Sequence, residues 1–222
     1  MRPVGRIKKV LLRKLSTRAR FRMLLLRRRI FLYAGDVPED RRYERYVGLL
    51  LSKSDLHHIH HDVTNALPLP DSCVDIYQSE DVFEHIDSSK LNSVLTEIYR
   101  VLKTGGLFRL SMPDYRCDLL RERSLKDDRG NIVFDLGGGG EYIDQKVVKG
   151  GHVWFPTYEQ VYGILKSTPF TEVTFYHYYR EDGTTITNAV DYSLGFVKRT
   201  PDNDERVQPP YRPMSIVVDC RK

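Results

Sequence analysis

Asp81, Glu84 and His85 fall within five residues of the run SEDVFEHI. Spacing of i, i+3 and i+4 sets three side chains on one face of a helix. Two carboxylates and an imidazole that converge in this way could hold a hard to borderline divalent ion. Without a metal the same set could do proton work, with His85 as general base on a hydroxyl and Asp81 or Glu84 orienting it. A hydroxyl is a poor nucleophile until a proton leaves or a metal lowers its pKa, so both uses point to an alcohol that is made to attack. A purely structural use competes with them, in which Glu84 and His85 orient a helix start by hydrogen bonds. Asp114, followed by Tyr115, is a further polar residue with two readings, acceptor contact or helix cap.

The elements around these residues follow from periodicity. Val74 to Gln78 is β-branched and aromatic and reads as a central strand. Ser88 or Ser89 can cap the next helix, in which Leu91, Val94, Leu95, Ile98, Val101 and Leu102 repeat at the helical period. Gly105-Gly106 stops that helix as an αL cap, and Leu107 to Met112 is a strand closed by Pro113. Strand, helix and strand in this order make a right-handed crossover, hence an α/β fold with a mostly parallel sheet and helices on both faces. Ligands of such sheets collect at the carboxyl ends of the strands, where Asp81, Glu84, His85 and Asp114 fall. Further strands are expected at Ile30 to Ala34, Tyr46 to Leu51, Ile59 to Val63, Glu172 to Tyr179 and Met214 to Cys220, and a helix at Thr157 to Leu165. Residues 116–151 are charged, Gly-rich and poorly periodic, and read as an inserted lid or substrate loop. The tetraglycine at 137–140 lacks the Lys-Ser/Thr of a phosphate loop and reads as a hinge or turn. His57, His58, His60 and His61 lie on a strand pattern, so at most two can converge.

With 222 residues, 41% of them hydrophobic, the chain can bury one substantial core. Its net charge of +5 hides a split. Residues 1–29 carry twelve Lys or Arg and no acid, which leaves 23 basic against 30 acidic residues, or −7, on the rest. The division expected is an amphipathic arm over 1–29 and a domain over 30–222. In the arm Ile7, Val10, Leu11, Leu15 and Met23 to Leu26 alternate with Arg and Lys, a pattern that suits one or two cationic helices against the domain or on an anionic membrane surface. An acidic body is a poor nucleic-acid surface. Three widely spaced cysteines, Cys73, Cys117 and Cys220, argue for a reducing compartment, and no apolar run approaches membrane-spanning length. The expectation is a cytoplasmic protein, peripheral at most to a membrane.

The segments VDIYQSEDVFEHI and LNSVLTEIYRVLKTGGLFRLSMPD, with the LPLPD loop before them, resemble the class I S-adenosylmethionine-dependent methyltransferases. The resemblance covers about residues 30–220 and implies a Rossmann-like sheet whose last strand is antiparallel. It also implies a cofactor site: Gly35-Asp36 in the place of the glycine-rich turn, Asp62 with Val63 beside the adenine, and Gln78, Ser79 and Glu80 along the methionine part. The motif is uneven. One glycine stands for several, and the acid that would hold the ribose is replaced by Leu50 or Leu51, with Asp55 late. The D-x-x-E-H of Asp81, Glu84 and His85 resembles the E-x-x-E-H of metal-dependent O-methyltransferases, which implies Mg²⁺ or Mn²⁺ and a further ligand after the fifth strand. His152, in GGHVWFPTYE, is the matching candidate, as ligand or as general base, and Trp154, Phe155 and Tyr158 could stack on a sugar ring or pack in the core. The activity implied is O-methylation of a saccharide or other polyol. A non-catalytic binding or scaffold module and an RNA ribose 2′-O-methyltransferase are the alternatives.

Overall fold

A computed structural model describes residues 15–52 and 54–222. Its strands are β1 (Phe31–Ala34), β2 (Val47–Leu50), β3 (His58–His60), β4 (Val74–Glu80), β5 (Leu102–Pro113), β6 (Ser124–Lys126), β7 (Ile132–Asp135), β8 (Glu141–Ile143), β9 (Lys146–Val148), β10 (Glu172–Tyr179), β11 (Thr185–Thr187) and β12 (Ser215–Arg221). The helices are α1 (Thr17–Leu24), α2 (Leu91–Val101), α3 (Asp118–Arg123) and α4 (Tyr158–Lys166). Eight strands form one sheet in the order β11-β10-β12-β5-β4-β1-β2-β3. Strands β1 to β5 pair in parallel, and β12 is antiparallel to both its neighbours, β5 and β10. The mostly parallel α/β sheet with an antiparallel last strand is therefore present. Short β11 adds an antiparallel edge.

Alternation along the strands divides the core. Leu32, Leu49, Ile59, Phe108, Leu110, Ile216 and Val218 point to one face, where Phe21 and Leu24 of α1, the apolar stripe of α2, and Val161 and Leu165 of α4 cover them. Each fully buried Leu, Ile or Val of this layer contributes about 1.5–3 kcal/mol. The helical cover of the described residues is one-sided. Twelve residues link β1 to β2, the lower limit for a crossover with a helix, and they carry Pro38 and a single 3₁₀ turn at Arg41–Tyr43. The opposite face is closed instead by Tyr43 and Tyr46 packed on Tyr33 and Phe196, and by the irregular segment 188–204.

That segment is held by a buried polar network. Arg109 pairs with both carboxylate oxygens of Asp219 (2.7 Å each) and donates to the carbonyls of Asp191 (2.9 Å) and Gly195. Gln78 donates to the Phe196 carbonyl and accepts from Tyr46 Oη (2.7 Å), while Glu80 accepts from Tyr43 Oη (2.6 Å) and the Lys198 amide (2.9 Å).

Several local expectations change. α2 ends at Val101 because Leu102 is already extended and pairs with Val74; Gly105, at φ +74°, turns the chain inside the strand rather than capping the helix. Asp87, not a serine, caps the 3₁₀ turn Ser88–Lys90 that precedes α2. Asp81 to His85 form no α-helix: Asp81 sits at φ +52°, and Phe83–His85 is one 3₁₀ turn followed by extended Ile86. Strand β3 stops at His60, so Asp62 and Val63 lie in the loop beyond it. Residues 116–151 fold as α3 and two hairpins, β6-β7 and β8-β9. In the basic arm, Leu15 to Arg29 are described and contain α1, capped by Ser16; Ile7, Val10 and Leu11 lie outside the described residues.

Candidate active site

A cleft of about 370 Å³ opens at the carboxyl ends of β1 to β4, lined by Gly35, Leu49 to Leu51, His61 to Thr64, Val82, His85 to Asp87 and Lys90. Gly35 has φ +96°, and a Cβ there would lie 2.9 Å from Val82 Cγ2, so the turn needs glycine. Asp62 and Val63 line the cleft; Asp62 Oδ1 accepts from the amide and hydroxyl of Thr64 and shapes a tight turn. The other expected cofactor residues lie elsewhere. Asp36 turns outward to His58 Nε2 (2.8 Å), Gln78 and Glu80 belong to the network under 188–204, and Ser79 is fully buried in β4. Strand alternation explains the displacement of Gln78 and Glu80, which point to the tyrosine-rich face. Leu50 and Leu51 occupy the cleft wall where the resemblance implies an acid, and Asp55 accepts from His57 and His58. Val82, Ile86 and His61 line the cleft without having been expected.

Beside the cleft, Glu84, His85 and His152 each bring a ligand atom within 4.8 Å of the others; among the described residues no other such group of three occurs. The 3₁₀ turn directs Glu84 inward, with zero exposure, and leaves His85 at the surface. The 150–155 segment is fixed against this turn by Val153 N donating to Glu84 O (2.9 Å), Trp154 Nε1 donating to Phe83 O (3.0 Å) and His85 Nδ1 donating to Gly150 O (2.7 Å). Tetraglycine Gly138 allows the insert to approach: a Cβ there would lie 2.7 Å from the His152 ring.

The hydrogen bonds assign the histidine tautomers. Tyr115 Oη donates to Asp135 Oδ2 (2.7 Å), and Asp135 is itself clamped by Arg123 at 2.7 and 2.6 Å. Burial, then the Asp135 bond, hold the Tyr115 phenol far above its ordinary pKa, so it keeps its proton for Asp135. Tyr115 must then accept from His152 Nδ1–H, which leaves the His152 Nε2 lone pair facing Glu84 Oε1 at 3.6 Å. His85, donating from Nδ1, likewise keeps Nε2 free. Burial and then His85 push His152 down to about 4, so its ring is neutral at neutral pH. Burial, then the Asp81 charge, hold the Glu84 carboxyl well above the usual range, and neither of its oxygens has a hydrogen-bond partner. Asp81 stands apart from the ligand group. Its Oδ2 pairs with Arg199 Nε at 3.0 Å, and burial raises its pKa against that pull.

The aromatic residues pack rather than wall the site. Trp154 joins the main core, Phe155 meets Tyr115 edge-on at 5.0 Å, and Tyr158 stacks on Tyr178 at 4.0 Å. Asp114 is buried, accepting from Tyr179 N (2.8 Å) and Arg116 N (3.0 Å), and so braces the end of β5. Tyr115, Asp135, Arg123 and Arg199 are the participants that the sequence did not signal, except for the pairing of Tyr115 with Asp114.

Residues 40–110 match the family model described as "Methyltransferase domain". No curated protein matches the chain in sequence. Similar solved structures include a SAM-dependent methyltransferase from Archaeoglobus fulgidus, at 15% identity and TM-score 0.51, with 92% of each chain covered. A SAM-dependent methyltransferase from Thermotoga maritima, a possible histamine N-methyltransferase, aligns at 16% identity and TM-score 0.52 over 93% of this chain and 87% of that one. A phosphoethanolamine N-methyltransferase 2 from Haemonchus contortus aligns at 13% identity and TM-score 0.50, over 92% of this chain and 52% of its own. The sheet order and the antiparallel last strand give the chain the fold of the S-adenosylmethionine-dependent methyltransferases to which it is similar.

Proposed function

We propose that the chain transfers a methyl group from S-adenosylmethionine to a hydroxyl of a saccharide or related polyol, assisted by a divalent ion held by Glu84, His85 and His152. The observation that carries this reading is the pair of free imidazole Nε2 atoms beside an unpartnered, fully buried carboxylate. Metal-ligating histidines characteristically donate their other ring N–H to a carbonyl or carboxylate-linked group, as His85 does to Gly150 and His152 to Tyr115–Asp135. The orphaned Glu84 oxygens fit a cation, and one oxygen with two nitrogens suits a borderline ion such as Mn²⁺ or Zn²⁺ better than Mg²⁺, with further positions open. Vicinal hydroxyls chelate such an ion, which supports a saccharide acceptor, as does the −7 body.

The cofactor fits the cleft at Gly35, whose missing Cβ permits close backbone approach, and along Asp62, Val63 and Val82. When bound it supplies an electrophilic methyl group on sulfur. The chain's own residues then orient the acceptor hydroxyl: His85 and His152 would hold the ion through Nε2, the ion would lower the hydroxyl's pKa, and Tyr115–Asp135 fixes the His152 ring through Nδ1. Arg199 holds Asp81 at the rim of this site. A non-catalytic binding module is the second reading, supported by Leu50 and Leu51 in place of a ribose-binding acid.

The test is incubation with S-adenosylmethionine and a saccharide panel with and without Mn²⁺, products being read by NMR for methyl ethers. The proposal expects an ether product that depends on Mn²⁺ and a loss of at least about tenfold in kcat for His152→Ala. Cofactor binding without turnover on any hydroxyl acceptor would favour the binding module, and methylation of RNA alone would replace the acceptor.

A further inference from the structure

From its described portion, the basic arm forms a surface whose chemistry is separate from the cleft. Along α1 and the following turn, Met23, Leu25, Leu26, Arg22, Arg27, Arg28 and Arg29 are all exposed, Leu26 by 85%. Six arginines and no acid lie between Leu15 and Arg29. The apolar side chains are not stragglers from the core, since the core face of α1 is already satisfied by Phe21 and Leu24. Between α1 and the amino ends of β2 and β3 lies a pocket of about 140 Å³, lined by Arg20, Met23, Leu24, Arg27, Val47, Leu56 and Ile59. Leu56 is also exposed at its edge. Arg20 is 6% exposed, its Nη1 is buried without a hydrogen-bond partner, and the Asp55 charge acts on it.

We propose that this surface docks on an anionic phospholipid bilayer, with Met23, Leu25, Leu26 and Leu56 entering the interface and Arg22, Arg27, Arg28 and Arg29 meeting the headgroup phosphates. Apolar side chains interleaved with arginine are what an interfacial helix needs, because hydrophobic insertion and phosphate pairing reinforce each other. A nucleic acid would use the arginines and leave the leucines exposed. The patch lies where the chain enters β1, at the amino ends of the strands, so a docked chain keeps the cleft at the carboxyl ends accessible. Residues 1–14 carry six further Lys and Arg in the sequence and lie outside the described residues.

Flotation of the full chain with phosphatidylcholine vesicles, and with vesicles containing 30% phosphatidylglycerol (about one lipid in three), tests this. Binding is expected only to the anionic vesicles and is expected to fall with salt. Arg27→Gln/Arg28→Gln/Arg29→Gln should weaken it by on the order of a hundredfold, and Leu25→Ser/Leu26→Ser by about tenfold with charge unchanged. Both variants change exposed side chains, and an unaltered circular-dichroism spectrum with unchanged thermal unfolding checks that they fold. Equal binding to neutral and anionic vesicles, no binding to either, or tight binding to single-stranded RNA that outcompetes the vesicles and ignores the leucine substitutions would each overturn the proposal.

Discussion

Glu84→Gln separates the two roles that a buried carboxylate can play. The side chain is fully buried with both oxygens unpartnered, so in the metal-free protein ionising it is costly and gains nothing in return. Glutamine has the same shape without the charge, and its amide can donate to His152 Nε2, which stands 3.6 Å from Oε1. Metal-free E84Q should therefore unfold within about 1 kcal/mol of the parent, or be more stable. With Mn²⁺ at one hundred times its dissociation constant, the parent gains about 2.7 kcal/mol by linkage, which for a chain of this size is a rise of roughly 5–10 °C in Tm. E84Q should lose that rise, since an amide oxygen is a weak ligand. Thermal unfolding with and without Mn²⁺, each in chelator-treated buffer first, reads both quantities. Equal Mn²⁺ shifts in parent and variant would refute the ligand assignment, and a metal-free loss of several kcal/mol would refute the claim that Glu84 is idle without a cation.

Other perturbations are equally direct. Gly35→Ala places a Cβ at φ +96° and 2.9 Å from Val82 Cγ2, so it should cost about 1–3 kcal/mol and weaken S-adenosylmethionine at least tenfold by calorimetry; unchanged affinity would remove Gly35 from the cofactor site. Arg109→Met strands Asp219 in the core and should cost about 3–5 kcal/mol in urea unfolding, whereas adding Asp219→Leu should restore much of it; a double variant as weak as the single would show that the pair is not the clasp on 188–200. Burial raises Asp114 to about 6, above its unfolded value of about 3.9, so the native state holds the proton longer and stability falls by up to about 3 kcal/mol as pH rises from 4 through 6. Asp114→Asn should flatten that slope in a series of denaturant midpoints, and an unchanged slope would assign it to another group.

How far the sequence disclosed the molecule depends on how local each cause is. The unit β4, α2 and β5 was legible because Leu91, Val94, Leu95 and Ile98 repeat at the helical period between two apolar strands. The helix through Asp81 to His85 was not found, because a positive φ at Asp81 breaks it and nothing in the residue types announces that. The spacing nevertheless put Glu84 and His85 together with His152, since the 150–155 segment is tied to the turn by backbone bonds. Gln78 and Glu80 were misdirected by the motif when strand alternation alone sends them to the opposite face. Arg199 reaches Asp81 and Asp135 reaches Tyr115 through tertiary folding of segments with no periodic signal, and no reading of spacing recovers such pairs. The absent helix between β1 and β2 fits a link of only twelve residues, the minimum for a crossover helix, interrupted by Pro38.

The central claim is that the cleft above Gly35 binds S-adenosylmethionine and serves the Glu84–His85–His152 group beside it. Isothermal titration of the full chain with S-adenosylmethionine, with and without Mn²⁺, tests it most directly. One site per chain is expected, weakened by Gly35→Ala and left intact by Glu84→Gln. No heat of binding under either condition, up to millimolar cofactor, would contradict it.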